Sequence, residues 1–215
     1  MNITILCSAE SHPVNGMLQQ WVEKYNALHQ VKFARSKREL EAGDILFLIS
    51  CSEIITEQER RRFKKTLVVH ASDLPSGRGW SPHIWELVGG AAGITVSLLE
   101  AQDKVDSGDI WKKLYVSIPR HALYDEINEL LFSAESELMD FAVENFHSIV
   151  PEAQDCSIEP TYYPRRGPKD SELNPQASIA SQFDLLRVCD PERFPAFFKL
   201  HGHTYKLTLE KVENE

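Results

Sequence analysis

The sequence predicts an α/β fold, namely a Rossmann-like open, mostly parallel sheet flanked by helices, with a C-terminal loop segment and β-hairpin. Short apolar runs alternate with helical patterns along the first part of the chain, which is the rhythm of α/β proteins. The unbroken run ILFLIS at residues 45–50 is typical of a strand covered on both faces. Residues 151–175 then contain five prolines, too many for regular structure. We therefore predict two units, residues 1–150 as the Rossmann-like core and residues 151–215 as a wrapping segment, short helix and hairpin.

Each element follows from a local pattern. Strands are predicted at the apolar runs over residues 2–7, 31–34, 45–50, 67–69, 94–99 and 114–118. Amphipathic or charged spacing predicts helices over residues 13–28, 56–65, 82–88 and 123–146. Pro13 suits a first helical turn because its missing N–H costs nothing there. A short helix over residues 179–189 and a hairpin over residues 195–212, turning at His201-Gly202, complete the chain.

Composition excludes several classes of protein. The 215 residues hold 23 Lys plus Arg against 32 Asp plus Glu, a net charge of −9, which disfavours a nucleic-acid partner because such binding neutralises phosphates. The four cysteines are scattered, with neither a CxxC pair nor zinc-like spacing, so we expect reduced thiols. No segment approaches the ~18 apolar residues of a membrane span, and we expect a cytoplasmic protein. The hairpin edge could mediate a homodimer or simply cover the core.

The candidate chemistry lies between residues 67 and 111. His70 ends a predicted strand and is followed by a run of turn-forming residues. If the run over residues 94–99 is a parallel strand of the same sheet, Asp106 leaves that sheet at the same edge, where open α/β sheets place ligands. A histidine beside a carboxylate can act as general base or oxyanion stabiliser. The ordinary alternatives are a structural histidine and a turn aspartate.

Two other interpretations of this region are weaker. His70, His83 and Asp106 are suitable metal ligands, but no tight His/His or Cys/His spacing supports a metal, and we expect none. The turn GRG at residues 77–79 lacks the full phosphate-loop pattern and also fits a tight loop with one exposed arginine.

A second patch, YYPRR at residues 162–166, lies in the proline-rich segment. Two arginines and two tyrosines could clamp a diphosphate and stack on a base or sugar, because the guanidinium group presents a planar fork. The alternative is a solvated basic turn. Trp80 and Trp85 are expected to pack on the core.

Three short motifs stand in a fixed order: HASDLP at residues 70–75, GRG at residues 77–79 and DSGD at residues 106–109. Together they resemble the formyltransferase family, whose motifs are Asn-x-His-x-Ser-x-Leu-Pro, an Arg-Gly loop and Asp-x-Gly. The resemblance implies a 10-formyltetrahydrofolate donor and an amine acceptor. It would make His70 the catalytic histidine and Asp106 its partner carboxylate, which suits an acyl transfer that must remove a proton and stabilise an oxyanion.

One position departs from the family pattern. The family asparagine falls on Val68, so the formyl oxygen needs another donor, for which Ser72, His83 or a backbone N–H are candidates. We therefore place Ser72 with the catalytic residues. The resemblance further leads us to expect donor contacts from Cys51, Ile54, Ile55, Glu100, Asp103 and Val105. It leads us to expect acceptor contacts from His12, Arg78, His83, Tyr163, Arg165 and Arg166.

The acceptor class is narrowed by similarity and charge. The HASDLPxGRGWSP stretch and the YYPRR segment look most like short N-formyltransferases that act on nucleotide-linked amino sugars of the pseudaminic-acid type, carried on UDP. The acidic charge disfavours tRNA, and we expect no room for the further domain of tRNA-specific enzymes. The alternatives are a purine-pathway (glycinamide ribonucleotide) formyltransferase and a folate- or nucleotide-binding module that has lost catalysis, the latter motivated by Val68.

Overall fold

A computed structural model describes residues 1–212, and a six-stranded sheet organises them. The strands are β1 (Asn2–Leu6), β2 (Gln30–Ala34), β3 (Gly43–Leu48), β4 (Phe63–His70), β5 (Arg78–Gly79), β6 (Gly93–Glu100), β7 (Ile110–Ser117), β8 (Tyr162–Tyr163), β9 (Ala196–Leu200) and β10 (His203–Leu207). The helices are α1 (Val14–Tyr25), α2 (Glu57–Arg60), α3 (Pro82–Val88), α4 (Tyr124–Glu144) and α5 (Phe183–Leu186). The main sheet has the order β2-β1-β3-β4-β6-β7, and β5 pairs with β8 and β9 with β10 separately. The predicted Rossmann-like α/β class is confirmed.

The sheet is parallel from β2 to β4, but β6 and β7 are antiparallel to their neighbours. The conditional expectation of a parallel strand over residues 94–99 is therefore wrong. The reason is the length of α3, whose seven residues span about 10 Å. The eight residues of β4 span about 26 Å. Helix α3 covers less than half of that length and does not return the chain to the start of β4, so β6 enters the sheet from the edge at which β4 leaves it.

Two apolar layers cover the sheet. The larger core packs α1, α3 and α4 on one face, with Trp21 fully buried and its Nε1 donating to Asp140 Oδ1 of α4 at 2.7 Å. A smaller cluster on the other face includes Leu46, Leu48 and Ile55 and lies under the segment that contains α2. Half-buried Val68 packs against this smaller cluster, so the face of β4 that carries Val68 is only partly covered.

Strand β4 begins earlier than expected, and α2 is correspondingly short. The predicted helix over residues 56–65 retains only four helical residues because Phe63 is buried in the sheet. The charged residues that follow are neutralised beside the sheet, Lys64 by Asp44 at 2.7 Å and Lys65 by Glu100 at 2.6 Å. The charged side chains at the start of β4 therefore favoured a helix in the sequence pattern.

The C-terminal segment returns to the sheet edge that carries His70. Glu152 forms an isolated antiparallel bridge with Ile110, and β8 pairs in parallel with β5. The hairpin of β9 and β10 is confirmed, turning at His201-Gly202, where both residues have positive φ. Within the described residues, no helix has the length and apolar character needed to cross a membrane.

Candidate active site

His70 is the last residue of β4 and is buried. Its Nε2 lies 2.9 Å from the carbonyl oxygen of Gly77. Because a carbonyl can only accept, Nε2 carries the hydrogen of that bond. Nδ1 makes no hydrogen bond to the described residues and lies 3.7 Å from Asp106 Oδ1. The ring therefore presents one nitrogen that is free to take up a proton, beside a carboxylate.

Asp106 lies beside His70 although the strand before it, β6, is antiparallel to β4. Strand β6 ends at Glu100 opposite Leu67, and the following loop curls back towards His70. Asp106 adopts a left-handed conformation, φ 55°, which aspartate tolerates better than most residues. Its Oδ2 accepts the N–H of Gly79 at 2.9 Å. The structure thus brings together the histidine and aspartate that the sequence singled out.

The loop between His70 and Gly79 is held tightly. Ser97 donates to the Ser72 carbonyl oxygen at 2.7 Å, and Lys113 donates to the Leu74 carbonyl oxygen at 2.6 Å. The Ser72 side chain is fully buried, and its hydroxyl has no partner among the described residues. A Cβ at Gly77 would lie 2.8 Å from Ser72 Cβ, which accounts for glycine at that positive-φ position. The Ser72 hydroxyl is therefore enclosed by protein atoms and is not exposed to solvent.

Of the residues expected to contact a donor, Cys51 and Ile55 belong to the smaller apolar cluster. Ile54 and Val105 are 64% and 51% exposed, Cys51 is half-buried and Ile55 is buried. Val68 lies on the same face, between Leu48 of β3 and Leu99 of β6. Its register partners are apolar, so neither of them offers the amide that the family motif places at this position.

Two acidic residues of the expected donor set are engaged in structural contacts. Glu100 Oε1 accepts from Lys65 at 2.6 Å and from Trp111 Nε1 at 3.1 Å. Asp103 pairs with Arg60, which also donates to the Ile55 carbonyl oxygen at 2.7 Å. The Arg60–Asp103 pair joins α2 to the loop that carries Asp106.

Two further histidines, His83 close to His70 and His12 close to His83, are neutral at pH 7. Burial, followed by the charge of Arg193, lowers the pKa of His12 to about 4. Burial, followed by His12, His70 and Arg166, lowers the pKa of His83 to about 3. His12 Nδ1 accepts the Val14 N–H at 3.2 Å, so its hydrogen is on Nε2. The expected acceptor residues His12 and His83 thus carry no charge of their own.

The YYPRR segment forms an aromatic and cationic surface rather than a free basic turn. The rings of Tyr163 and Trp85 are stacked at 6.4 Å, and Trp85 Nε1 donates to the Pro164 carbonyl oxygen at 3.0 Å. The Arg165 guanidinium lies 5.0 Å from the ring centroid of Trp80. Trp80 is 43% exposed, so the expectation that it packs on the core is wrong.

The other two arginines in the acceptor set are held by protein atoms. Arg166 donates to the Asp170 carbonyl oxygen at 3.0 Å and lies 5.9 Å from the Trp85 ring. Arg78 is 5% exposed and donates to Gln154 Oε1 at 2.6 Å and Tyr162 Oη at 3.3 Å. Sequence reasoning missed Gln154, which has no motif around it. Among residues 1–212, no group of three potential metal ligands comes together.

Fold and site together define a class: Rossmann-like α/β proteins with a buried histidine at the end of a central strand and a carboxylate from the following loop. More narrowly, the chain belongs to the formyl transferase family, which it matches over residues 6–143.

Among curated proteins, the chain is similar to the methionyl-tRNA formyltransferase of Protochlamydia amoebophila, with 26% identity over 186 residues. That match covers 84% of this chain but 57% of the relative, so the chain spans little more than half the length of that protein.

Solved structures share the fold. The methionyl-tRNA formyltransferase of Clostridium thermocellum superposes with a TM-score of 0.82 at 23% identity, covering 99% of this chain and 94% of that one. HypX of Aquifex aeolicus in complex with tetrahydrofolic acid has a TM-score of 0.71 at 19% identity, covering 94% and 36%. A sugar N-formyltransferase of a Shewanella species has a TM-score of 0.70 at 15% identity, covering 99% of each chain.

Proposed function

We propose that the protein transfers a formyl group from 10-formyltetrahydrofolate to the amine of a nucleotide-linked, UDP-carried 4-amino-4,6-dideoxy sugar. The observation that carries the proposal is the buried His70 with its unpartnered Nδ1 facing Asp106 at 3.7 Å. This pair, in a member of the formyl transferase family, supplies the proton transfer that amide formation requires.

We assign the proton transfers of the reaction to His70. When bound, the donor supplies the formyl carbon. An amine that attacks this carbon must lose a proton, and Nδ1 of His70 takes it, next to the Asp106 carboxylate. The new bond joins the acceptor nitrogen to the formyl carbon, the bond to the donor nitrogen breaks, and His70 returns the proton to that departing nitrogen. Gly77 keeps the ring oriented by accepting from Nε2 throughout.

The donor is assigned to the partly covered face beside β4. Exposed Ile54 and Val105 and half-buried Cys51 present aliphatic and sulfur surface of the kind that packs against a flat heteroaromatic ring. The HypX structure with tetrahydrofolic acid, which shares this fold, supports a folate-derived co-substrate. We assign Glu100 and Asp103 a supporting role, since both pair with cations beside this face.

The acceptor is assigned to the surface formed by Trp80, Trp85, Tyr163 and Arg165. Aromatic rings and a guanidinium group suit a base or sugar joined to phosphates. We also assign neutral His12 and His83 to contacts with the sugar. A sugar acceptor is supported by the Shewanella sugar N-formyltransferase, and the net charge of −9 makes an anionic tRNA the less favourable choice.

To test this proposal, the purified protein and 10-formyltetrahydrofolate are incubated with each of three acceptors: a UDP-linked 4-amino-4,6-dideoxy sugar, glycinamide ribonucleotide and methionyl-tRNA. We expect a formyl adduct, detected by mass spectrometry, on the sugar nucleotide. We expect Asp106→Asn to lower kcat by roughly 10²- to 10⁴-fold, the range for general acid–base groups. Product on methionyl-tRNA alone would overturn the sugar assignment, and donor binding without product on any acceptor would favour a binding module.

The two-unit division and a homodimer remain proposals. Strand β10 presents a free edge whose residues His203 to Lys206 are exposed, so a second copy could pair there. Light scattering after gel filtration would show a mass near 49 kDa, about twice 24.5 kDa, if the dimer forms.

A further inference from the structure

Residues 152–163, which we call the strap, contact the loops on both sides of the His–Asp pair. They lie beyond residue 143, where the family match ends. Glu152 exchanges two backbone hydrogen bonds with Ile110, at 2.7 and 2.8 Å. Thr161 accepts from Gly77 N–H through its hydroxyl at 2.8 Å and from Arg78 N–H through its carbonyl at 2.9 Å. The strap thus holds the chain on either side of the carbonyl that orients His70.

One strap side chain, Gln154, reaches the backbone of the Asp106 loop. Its Nε2 donates to the carbonyl oxygens of Asp106 and Gly108, both at 2.9 Å. Its Oε1 accepts from Arg78 at 2.6 Å. The two contacts to the loop have ordinary hydrogen-bond lengths, and the contact to the charged Arg78 is shorter.

Arg78 settles the orientation of this amide. The arginine is 5% exposed, cannot lose its proton and has no carboxylate partner among the described residues, so it requires an oxygen acceptor. Gln154 must therefore turn its oxygen to Arg78 and its NH₂ to the two carbonyls. The reversed amide would oppose donor to donor and acceptor to acceptor.

The loop that Gln154 binds has an unfavourable backbone conformation. Asp106 has φ 55°, and a Cβ at Gly108 would lie 1.8 Å from the Glu100 carbonyl oxygen. A non-glycine residue keeps a left-handed conformation only where its surroundings hold it. Gln154 binds the carbonyl of Asp106 itself, while Gly79 N–H binds its side chain at 2.9 Å.

We infer that Gln154 is a positioning residue, which acts through Asp106 to keep the carboxylate beside His70 Nδ1. The kinetic part of the inference rests on the proposed formyl transfer, whereas the conformational part does not. Two variants separate the contacts: Gln154→Met removes all of them, and Gln154→Glu keeps an acceptor for Arg78 but has no N–H for the loop. Gln20→Met, at an exposed position on α1, is the matched control.

The conformational test measures amide hydrogen exchange of Gly79 by NMR in the intact protein. The Gly79 N–H is protected by Asp106 Oδ2, so a displaced carboxylate must expose it. We expect both Gln154 variants to speed this exchange at least tenfold and Gln20→Met to leave it unchanged. Unchanged exchange in Gln154→Glu, with a melting temperature like that of the wild type, would overturn the inference.

The kinetic test is a double-mutant cycle with Asp106→Asn. We expect each Gln154 variant to lower kcat by 10- to 100-fold with KM for donor and acceptor unchanged, because a displacement of about 1 Å costs that much. In the Asp106→Asn background the same substitutions should lower kcat less than threefold. Additive losses would show a general structural role and overturn the inference. A wild-type protein without formyl transfer would overturn the proposed function, and the exchange test would still decide the role of Gln154.

Discussion

The carboxyl group of Glu135 gives the structure its sharpest stability prediction. Glu135 lies on the inner face of α4, is 8% exposed, and its Oε2 is buried without a partner among the described residues. Burial raises its pKa from the usual 4.5 to about 8. The group is therefore protonated in the folded protein at pH 7 and ionised in the unfolded chain.

The shifted pKa of Glu135 makes the free energy of unfolding depend on pH. Between pH 4.5 and 8 the folded state holds one proton that the unfolded state has lost, so this group makes stability fall as pH rises and level off above pH 8. From pH 5 to pH 8 the loss amounts to about 3.5 kcal/mol in the free energy of unfolding. Glu135→Gln abolishes it, because the amide does not ionise.

Urea denaturation of the wild type and Glu135→Gln at pH 5 and pH 8 measures the difference. The amide leaves an unsatisfied donor that costs about 1–3 kcal/mol at every pH, so the readout is the change in the difference between the two pH values. We expect the variant to gain about 3.5 kcal/mol relative to the wild type over that interval. Glu129→Gln, exposed on the same helix, should show no such change. A pH-independent difference for Glu135→Gln would refute the buried neutral carboxyl.

Four further substitutions have expected outcomes. Val68→Asn introduces the amide of the family motif on the sheet face of β4 that carries His70, and should raise kcat for the proposed formyl transfer at least tenfold, since one oxyanion donor is worth about 10²–10³. The pKa of His83 is lowered to about 3 in the folded protein, so below pH 6.5 the unfolded chain binds a proton that the folded protein does not, and stability falls. His83→Gln should remove about 2 kcal/mol of this loss in the free energy of unfolding between pH 6.5 and 4.5, measured by urea titrations. Gly79 has φ 98°, and a Cβ there would lie 2.5 Å from a backbone oxygen, so Gly79→Ala should lower stability by at least about 2 kcal/mol in thermal melts. Gly16→Ala, in a helix with open space around it, should instead stabilise by up to about 1 kcal/mol.

Periodicity was sufficient for most of the fold. The main strands were predicted because their buried positions form unbroken apolar runs, and α4 because its apolar stripe repeats over 21 residues. The direction of β6 was not accessible from such patterns. It depends on whether the connection after His70 is long enough to cross the sheet, and the helix in that connection is only Pro82–Val88.

The site was predictable where a residue type carries its chemistry and obscure where the chemistry depends on tertiary contacts. The proximity of His70 and Asp106 was predicted although the premise of a parallel strand failed, since the family motif contains both residues. Trp80 was misplaced because an apolar ring is expected inside, whereas here Arg165 covers one face of it. Gln154 left no signal, because its role depends on two backbone carbonyls and a buried arginine that meet only in the folded chain.

The position of Asp106 beside His70 depends on contacts from other parts of the chain. Only His70 belongs to a strand; Asp106 lies in a loop after an antiparallel strand that ends opposite Leu67. A loop residue with positive φ needs several independent contacts, and those observed come from Gly79 N–H and Gln154 Nε2. The second contact comes from beyond the family-matching stretch, so a chain cut at residue 150 would keep both members of the pair and lose part of what aligns them. The functional unit that we propose therefore extends through Tyr163, past the boundary that composition alone suggested.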